Sequence, residues 1–384
     1  MPNAGLAVAA CMGAGILGGL FSTPLTLGRS GWAWESTWLV YSLLAYAVFP
    51  WLAAAATVPD MPGVLRAVDA GVVAETAVFG FLWGVGSQLF GLGIDLLGNS
   101  LGFALVLGLV ASVGSLVPLL VLHSEEAATA QGAWNFAGLA LVVGGLYLVA
   151  CAGKLKEQDE AVAAAADQPL LRGNSGNDEP TLLPPPPSDA EAGKRTRGLA
   201  VCLLSGVFSA ALNFSASFGS DISDAAAASG ASDAMKSNAI WAVAMSAGAL
   251  PNIAFCCHLL HKNGTWRDLV PAALAGAEHE LKADGADERP RGGALYSAAI
   301  ATAMAVLWFS GFIVYGAGTS LFPGTLGTVV GWPINMTTQI MVANVSGVVG
   351  GEWRLAGPAA RRHMQGGLIV LVVAIVFIGV AGGA

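Results

Sequence analysis

Four side-chain amides, Gln88, Asn213, Asn335 and Gln339, stand inside long apolar runs, where a polar group is costly and marks a functional candidate. Their spacing puts them on helical faces with other polar or aromatic groups. Gly84, Gln88, Gly91 and Asp95 recur at i, i+4, i+7 and i+11; Ser205, Ser209 and Asn213 at i, i+4 and i+8. Trp332, Asn335 and Gln339 recur at i, i+3 and i+7 with Thr338 beside them, and Trp308, Phe312 and Tyr315 form an aromatic face. Asn252 adjoins Pro251, a residue that kinks helices. An amide both donates and accepts hydrogen bonds, and an aromatic ring offers a flat apolar surface. Together they suit a sugar, whose hydroxyls bond the amides while its ring stacks on Trp or Tyr. The plainer alternative stays open from the residues alone: such faces pack helices together, Gln88 bonds a neighbouring helix, and Asp95 is a solvated helix end.

Two carboxylates could carry a proton, because partial burial favours the neutral acid and raises its pKa toward ambient pH. Glu35, flanked by Trp34 and Trp38, is the first candidate. Glu352, beside Trp353 and Arg354, is the second, although that arginine suits a structural ion pair. His258 reads as an interfacial residue. No nucleophile stands with a histidine and an acid, and with five histidines and no HExxH, GxSxG or Walker pattern an enzyme is disfavoured. The five cysteines all fall in apolar runs without metal spacing and read as packing residues. No cofactor is expected beyond the proton as coupling ion, and no nucleic-acid partner.

The elements that must position these groups are apolar runs too long for a soluble core. A hydrocarbon layer about 30 Å thick needs roughly 20 residues of helix. Runs near 5–27, 37–58, 75–95, 99–122, 133–153, 197–219, 238–261, 293–317, 323–350 and 364–383 meet that length. Composition agrees, with 55% hydrophobic and 11% charged residues against about 25% charged in a soluble domain. The 51 glycines fit helices that pack closely in lipid. The expected fold is therefore an all-α integral membrane protein of ten transmembrane helices. Residues 59–74, amphipathic, are expected on the interface. Residues 158–196, with an alanine run and the prolines Pro184 to Pro187, read as a disordered linker between halves 1–157 and 197–384.

Each half opens alike: Gly19-Leu20-Phe21-Ser22 returns as Gly206-Val207-Phe208-Ser209. Five spans per half is odd, so the second half enters the bilayer from the opposite side, giving two inverted five-helix repeats with a substrate site between them. Fifteen of the 17 Lys and Arg fall in the loops between spans 1–2, 3–4, 5–6, 7–8 and 9–10. That bias puts the linker in the cytoplasm and both termini on the opposite side. A plasma or cell inner membrane is the expected location, with an organelle membrane as the alternative.

These residues resemble the L-rhamnose–proton symporter family, a branch of the drug/metabolite transporter superfamily. The resemblance is carried by Trp32-Ala33-Trp34-Glu35-Ser36-Thr37-Trp38 with Pro50-Trp51 and by Phe79-Gly80-Phe81-Leu82-Trp83-Gly84-Val85-Gly86. It continues through Leu97-Gly98-Asn99-Ser100-Leu101-Gly102, Ala152-Gly153-Lys154-Leu155-Lys156-Glu157, Gly248-Ala249 with Asn252, and Glu352-Trp353 with Ala356-Gly357. It implies ten helices in two related halves and a sugar carried with a proton. The chain departs from the bacterial pattern at Ser87-Gln88-Leu89-Phe90, where asparagines and a tyrosine stand, and at Gly311, where the family has a glutamine. Those departures fall at expected substrate-facing positions. The alternatives are a metabolite or nucleotide-sugar exporter of the same superfamily, or a non-transporting membrane receptor or scaffold using the linker.

Overall fold

A computed structural model describes residues 4–28, 30–97, 99–166, 189–269, 293–323 and 326–383, and the described residues are helical or in short connections. In the first half, α1 (Ala4–Leu20) leads into α2 (Thr23–Gly28), and α3 (Trp34–Ser42) widens to a π-helical turn (Leu43–Val48) before α4 (Phe49–Thr57). Then follow α5 (Met61–Ala67), α6 (Ala70–Leu97), α7 (Asn99–Leu122), α8 (Ser124–Ala127) and α9 (Ala130–Ala166). The second half holds α10 (Asp189–Phe218), α11 (Ser220–Ala228), α12 (Asn238–Asn263), α13 (Ala294–Thr319), α14 (Leu326–Val349) and α15 (Pro358–Ala381). The expected interfacial piece contains α5, whose N-cap Asp60 accepts a 2.9 Å bond from the Gly63 amide.

Among the described residues nine helical stretches are long and apolar enough to cross a membrane. Helix α14 occupies the expected run at 323–350 and is 24 residues long, yet it is not one of the nine. Thr328, Asn335, Thr337, Thr338, Gln339 and Asn344 dilute its apolar content. Every residue from Gly327 to Thr338 is buried, so protein rather than lipid surrounds its polar groups. Apolar side chains such as Ile369, Val372 and Val376 of α15 and Val78 and Phe81 of α6 cover the outside, as a lipid-facing surface requires. At the linker, α9 continues to Ala166 and α10 starts at Asp189, so helix occupies both ends of 158–196. Its proline run lies outside the described residues.

Glycine sets the closest helix contact. A β-carbon at Gly80 would strike the Ala244 backbone, and one at Gly84 the carbonyl of Gly248, so α6 and α12 meet backbone to backbone. Helix α1 packs on α13 and α14 as α10 packs on α6 and α7, while α9 and α15 pack on each other. The repeated string follows this exchange: Gly19 lies against Val342 of α14, and Gly206 against Leu109 of α7.

Candidate functional site

Where α1, α3, α6, α7, α10, α13 and α14 converge they leave a cavity of about 220 Å³. That is small beside the ~300–1,000 Å³ of drug-sized pockets and fits a small molecule. Trp308 of α13 lines it. The ring stacks on Trp83 of α6 at 5.6 Å and 21°, meets Tyr46 edge-on at 4.8 Å, and lies 4.5 Å from Phe312. These contacts leave a wall of aromatic faces, with few polar groups.

Both amides of the lining come from α14, where Trp332, Asn335 and Gln339 all line the cavity. Trp332 donates its indole N–H to the Val110 carbonyl at 2.9 Å, so it offers the cavity its ring. Gln339 Nε2 donates to the Gly18 carbonyl at 3.0 Å and ties α14 to α1. Asn335 differs. It is 5% exposed, lines the cavity, and has no hydrogen-bond partner among the described residues. An amide that deep without a partner costs about 1–3 kcal/mol unless something in the cavity bonds it.

The remaining amides sit elsewhere. Gln88 Nε2 donates to Asn252 Oδ1, and Asn252 Nδ2 donates to the Gly248 carbonyl at 3.0 Å, forming an amide clasp where α6 crosses α12. The neighbour Ser87 joins the clasp, its hydroxyl 3.2 Å from Asn252 Nδ2, and also lines the cavity. Asn213 is fully buried and fully used: Nδ2 donates to the carbonyls of Gly114 (2.8 Å) and Thr328 (3.1 Å), and Oδ1 accepts from the Tyr315 hydroxyl at 2.7 Å. One residue thus joins α10 to α7, α14 and α13. On its own face Ser205 bonds the Gly86 carbonyl at 2.9 Å, while Ser209 reaches the cavity. Asp95 is at an exposed helix end.

Glu35 lies in the first turn of α3 and is 6% exposed, the one buried carboxylate among the described residues. Its Oε1 accepts from Asn263 Nδ2 at 2.8 Å and Thr265 Oγ1 at 2.7 Å. From the same connection, Asp268 Oδ2 accepts from the Ala33 amide at 2.8 Å, a donor that the helix start leaves open, and from Ser36 Oγ at 3.1 Å. Trp38, one turn along, lines the cavity and stacks on Trp34. Glu352 is exposed and lines a second cavity of about 270 Å³ with Asn344, Lys156 and Trp353; Leu107 lines both cavities. The Glu352–Arg354 ion pair does not form among the described residues.

Tyr41, Tyr46 and Trp83 line the cavity as well, and periodicity did not point to them. Trp83 lies in a family-like string but on no polar face. The two tyrosines are five residues apart, a spacing that shares no face in a regular α-helix. Both departures from the bacterial pattern reach the cavity, through Ser87, Phe90 and Gly311.

A helical bundle of membrane-spanning length that encloses an aromatic cavity with an unpartnered amide has the size and chemistry of a small-molecule site. The family described as L-rhamnose-proton symport protein (RhaT) matches residues 7–173 and 188–384, and this chain belongs to it. The chain is similar to the L-rhamnose-proton symporter of Cronobacter sakazakii, 27% identical over 351 residues, 91% of this chain and 89% of the relative. It is also similar to that of Klebsiella pneumoniae subsp. pneumoniae, 25% identical over 352 residues, 91% and 90%. The symporter of Escherichia coli O1:K1 is 23% identical over 351 residues, with the same coverage.

Proposed function

We propose that this chain is a proton-coupled symporter of L-rhamnose or a closely similar sugar, and not an enzyme. The observation that carries the reading is Asn335: a buried, unpartnered amide facing a cavity that the Trp83–Trp308 stack walls with aromatic faces. A sugar supplies the missing hydrogen bonds and stacks its apolar ring face on the indoles. Family membership and relatives named L-rhamnose-proton symporters, aligned over 91% of the chain, support the same substrate class.

As the residue that takes up the coupled proton we propose Glu35: the donors from Asn263 and Thr265 favour its charged form, and losing them in a site shielded from water would favour the neutral acid. Glu352 ranks second, being exposed. In this reading α14 is a tenth span and the two halves form inverted five-helix repeats of the drug/metabolite transporter type. The exchange-symmetric helix packing and the matched Gly19 and Gly206 contacts support that arrangement. The charge bias supports a cytoplasmic linker with both termini opposite, in a plasma or inner membrane.

Counterflow in proteoliposomes with a sugar panel tests the reading. Exchange of L-rhamnose or a close 6-deoxy relative is expected. Failure of every sugar to exchange would contradict it.

A further inference from the structure

A single proline organises one wall of the cavity. Pro50 has no N–H to give the Tyr46 carbonyl four residues earlier, and its ring crowds that carbonyl. The helix answers with the π-helical turn at Leu43–Val48, closed by the Phe49 amide bonding the Leu44 carbonyl five residues back. In a regular α-helix residues five apart point about 140° from each other; across the wider turn Tyr41 and Tyr46 meet. Their hydroxyls are 3.2 Å apart, Tyr46 donating to Tyr41. Both rings are buried, and both line the cavity.

Two hydroxyls carry two protons, and this bond uses one. The Tyr41 proton has no acceptor among the described residues. Accepting a bond from Tyr46 polarises the Tyr41 hydroxyl and makes it a better donor. Tyr41 lies edge-on to Trp308 at 6.4 Å, and Tyr46 edge-on to Trp83 at 4.9 Å, so the rings cannot swing the pair away from the aromatic wall.

Resting on the sugar-transport reading, we propose that Tyr41 donates to one hydroxyl of the bound sugar and so determines specificity at that position, with Tyr46 as its positioning residue. An isolated hydroxyl in a water-filled site discriminates little. A donor already oriented in a buried site, left unpaired by an analogue without its acceptor, rejects that analogue strongly.

The test uses the full chain in proteoliposomes, with L-rhamnose and its monodeoxy analogues as probes. Y41F should raise the half-saturating L-rhamnose concentration ~10-fold. For one analogue alone, Y41F should transport as well as wild type or better, because the hydroxyl that Tyr41 reads is already missing and Phe leaves no donor unpaired. Y46F should give the same analogue profile with a smaller loss. A merely structural pair would weaken every analogue by the same factor, and that result, or no change in any, overturns the proposal. Wild type is measured first: if it moves neither L-rhamnose nor any analogue, the sugar reading fails and the proposal falls with it. If wild type moves them and the Y41F profile is flat, only the proposal fails.

Discussion

The Tyr315 hydroxyl donates a 2.7 Å hydrogen bond to Asn213 Oδ1, locking α13 to α10 in the protein interior. With its two donated bonds to Gly114 and Thr328, Asn213 uses its capacity on the protein itself. Asn335, one of the same four amides by sequence, keeps its capacity for the cavity. Two amides alike in sequence therefore separate, one tied into the helix packing and one left facing the cavity.

That difference predicts opposite phenotypes. N213A strands the Tyr315 hydroxyl and the Gly114 carbonyl, whose helix partner four residues on is Pro118 and has no N–H. Hydrogen bonds between membrane helices average about 0.6 kcal/mol each, and stranded partners add to this, so a loss of about 1–3 kcal/mol is expected. A lowered melting temperature in detergent checks it; an unchanged one would reassign Asn213.

N335A should leave the melting temperature within error or raise it, since it removes an unpartnered buried amide. The half-saturating sugar concentration should rise roughly 5- to 150-fold, the equivalent of one lost bond of about 1–3 kcal/mol. Uptake against sugar concentration is the measurement. Unaltered half-saturation would place the binding amide elsewhere.

Much of this division was legible beforehand and some was not. The face Trp332–Asn335–Gln339 showed as helical periodicity, because α14 stays helical through it and turns these three residues to the cavity. Polarity within an apolar run also singled out Gln88, Asn213 and Asn252. Whether such an amide bonds a neighbour or a ligand depends on which carbonyl lies opposite, and helix spacing carries no record of that. Tyr41 and Tyr46 were invisible for a different reason. Periodicity assumes 3.6 residues per turn, and the π turn breaks that assumption where the cavity needs both rings. Helix α14 falls below the apolar threshold because hydropathy counts residues without regard to what surrounds them.

The glycine contact between α6 and α12 makes a third prediction. In G80A the new β-carbon meets the Ala244 backbone, which has no rotamer by which to move aside, whereas Gly91 on the same helix faces open space. G80A should lower stability sharply, and G91A should be neutral or mildly stabilising through helix propensity. Thermal unfolding of the two variants side by side decides this; equal behaviour would contradict the packing.

Asn263-Gly264-Thr265 is a glycosylation sequon, and both of its polar side chains bond Glu35. The acceptor nitrogen is engaged, and in the orientation proposed from the charge bias this connection is cytoplasmic. The chain should stay unmodified here when made in a eukaryotic host. A glycan, seen as an endoglycosidase-sensitive mobility shift, would overturn the orientation.

Coupling predicts that E35Q, which keeps the shape of Glu35 but cannot ionise, uncouples the two fluxes. Sugar counterflow should persist while accumulation driven by an imposed pH gradient is lost. Full accumulation by the variant would remove Glu35 from the mechanism.

The most direct measurement of symport needs no mutation. Proteoliposomes without an ion gradient, carrying a trapped pH-sensitive dye, are given L-rhamnose outside. Inward sugar movement coupled to protons should acidify the lumen, with an initial rate that saturates with sugar concentration and vanishes with a proton ionophore. Sugar entry with no change in luminal pH would contradict proton symport.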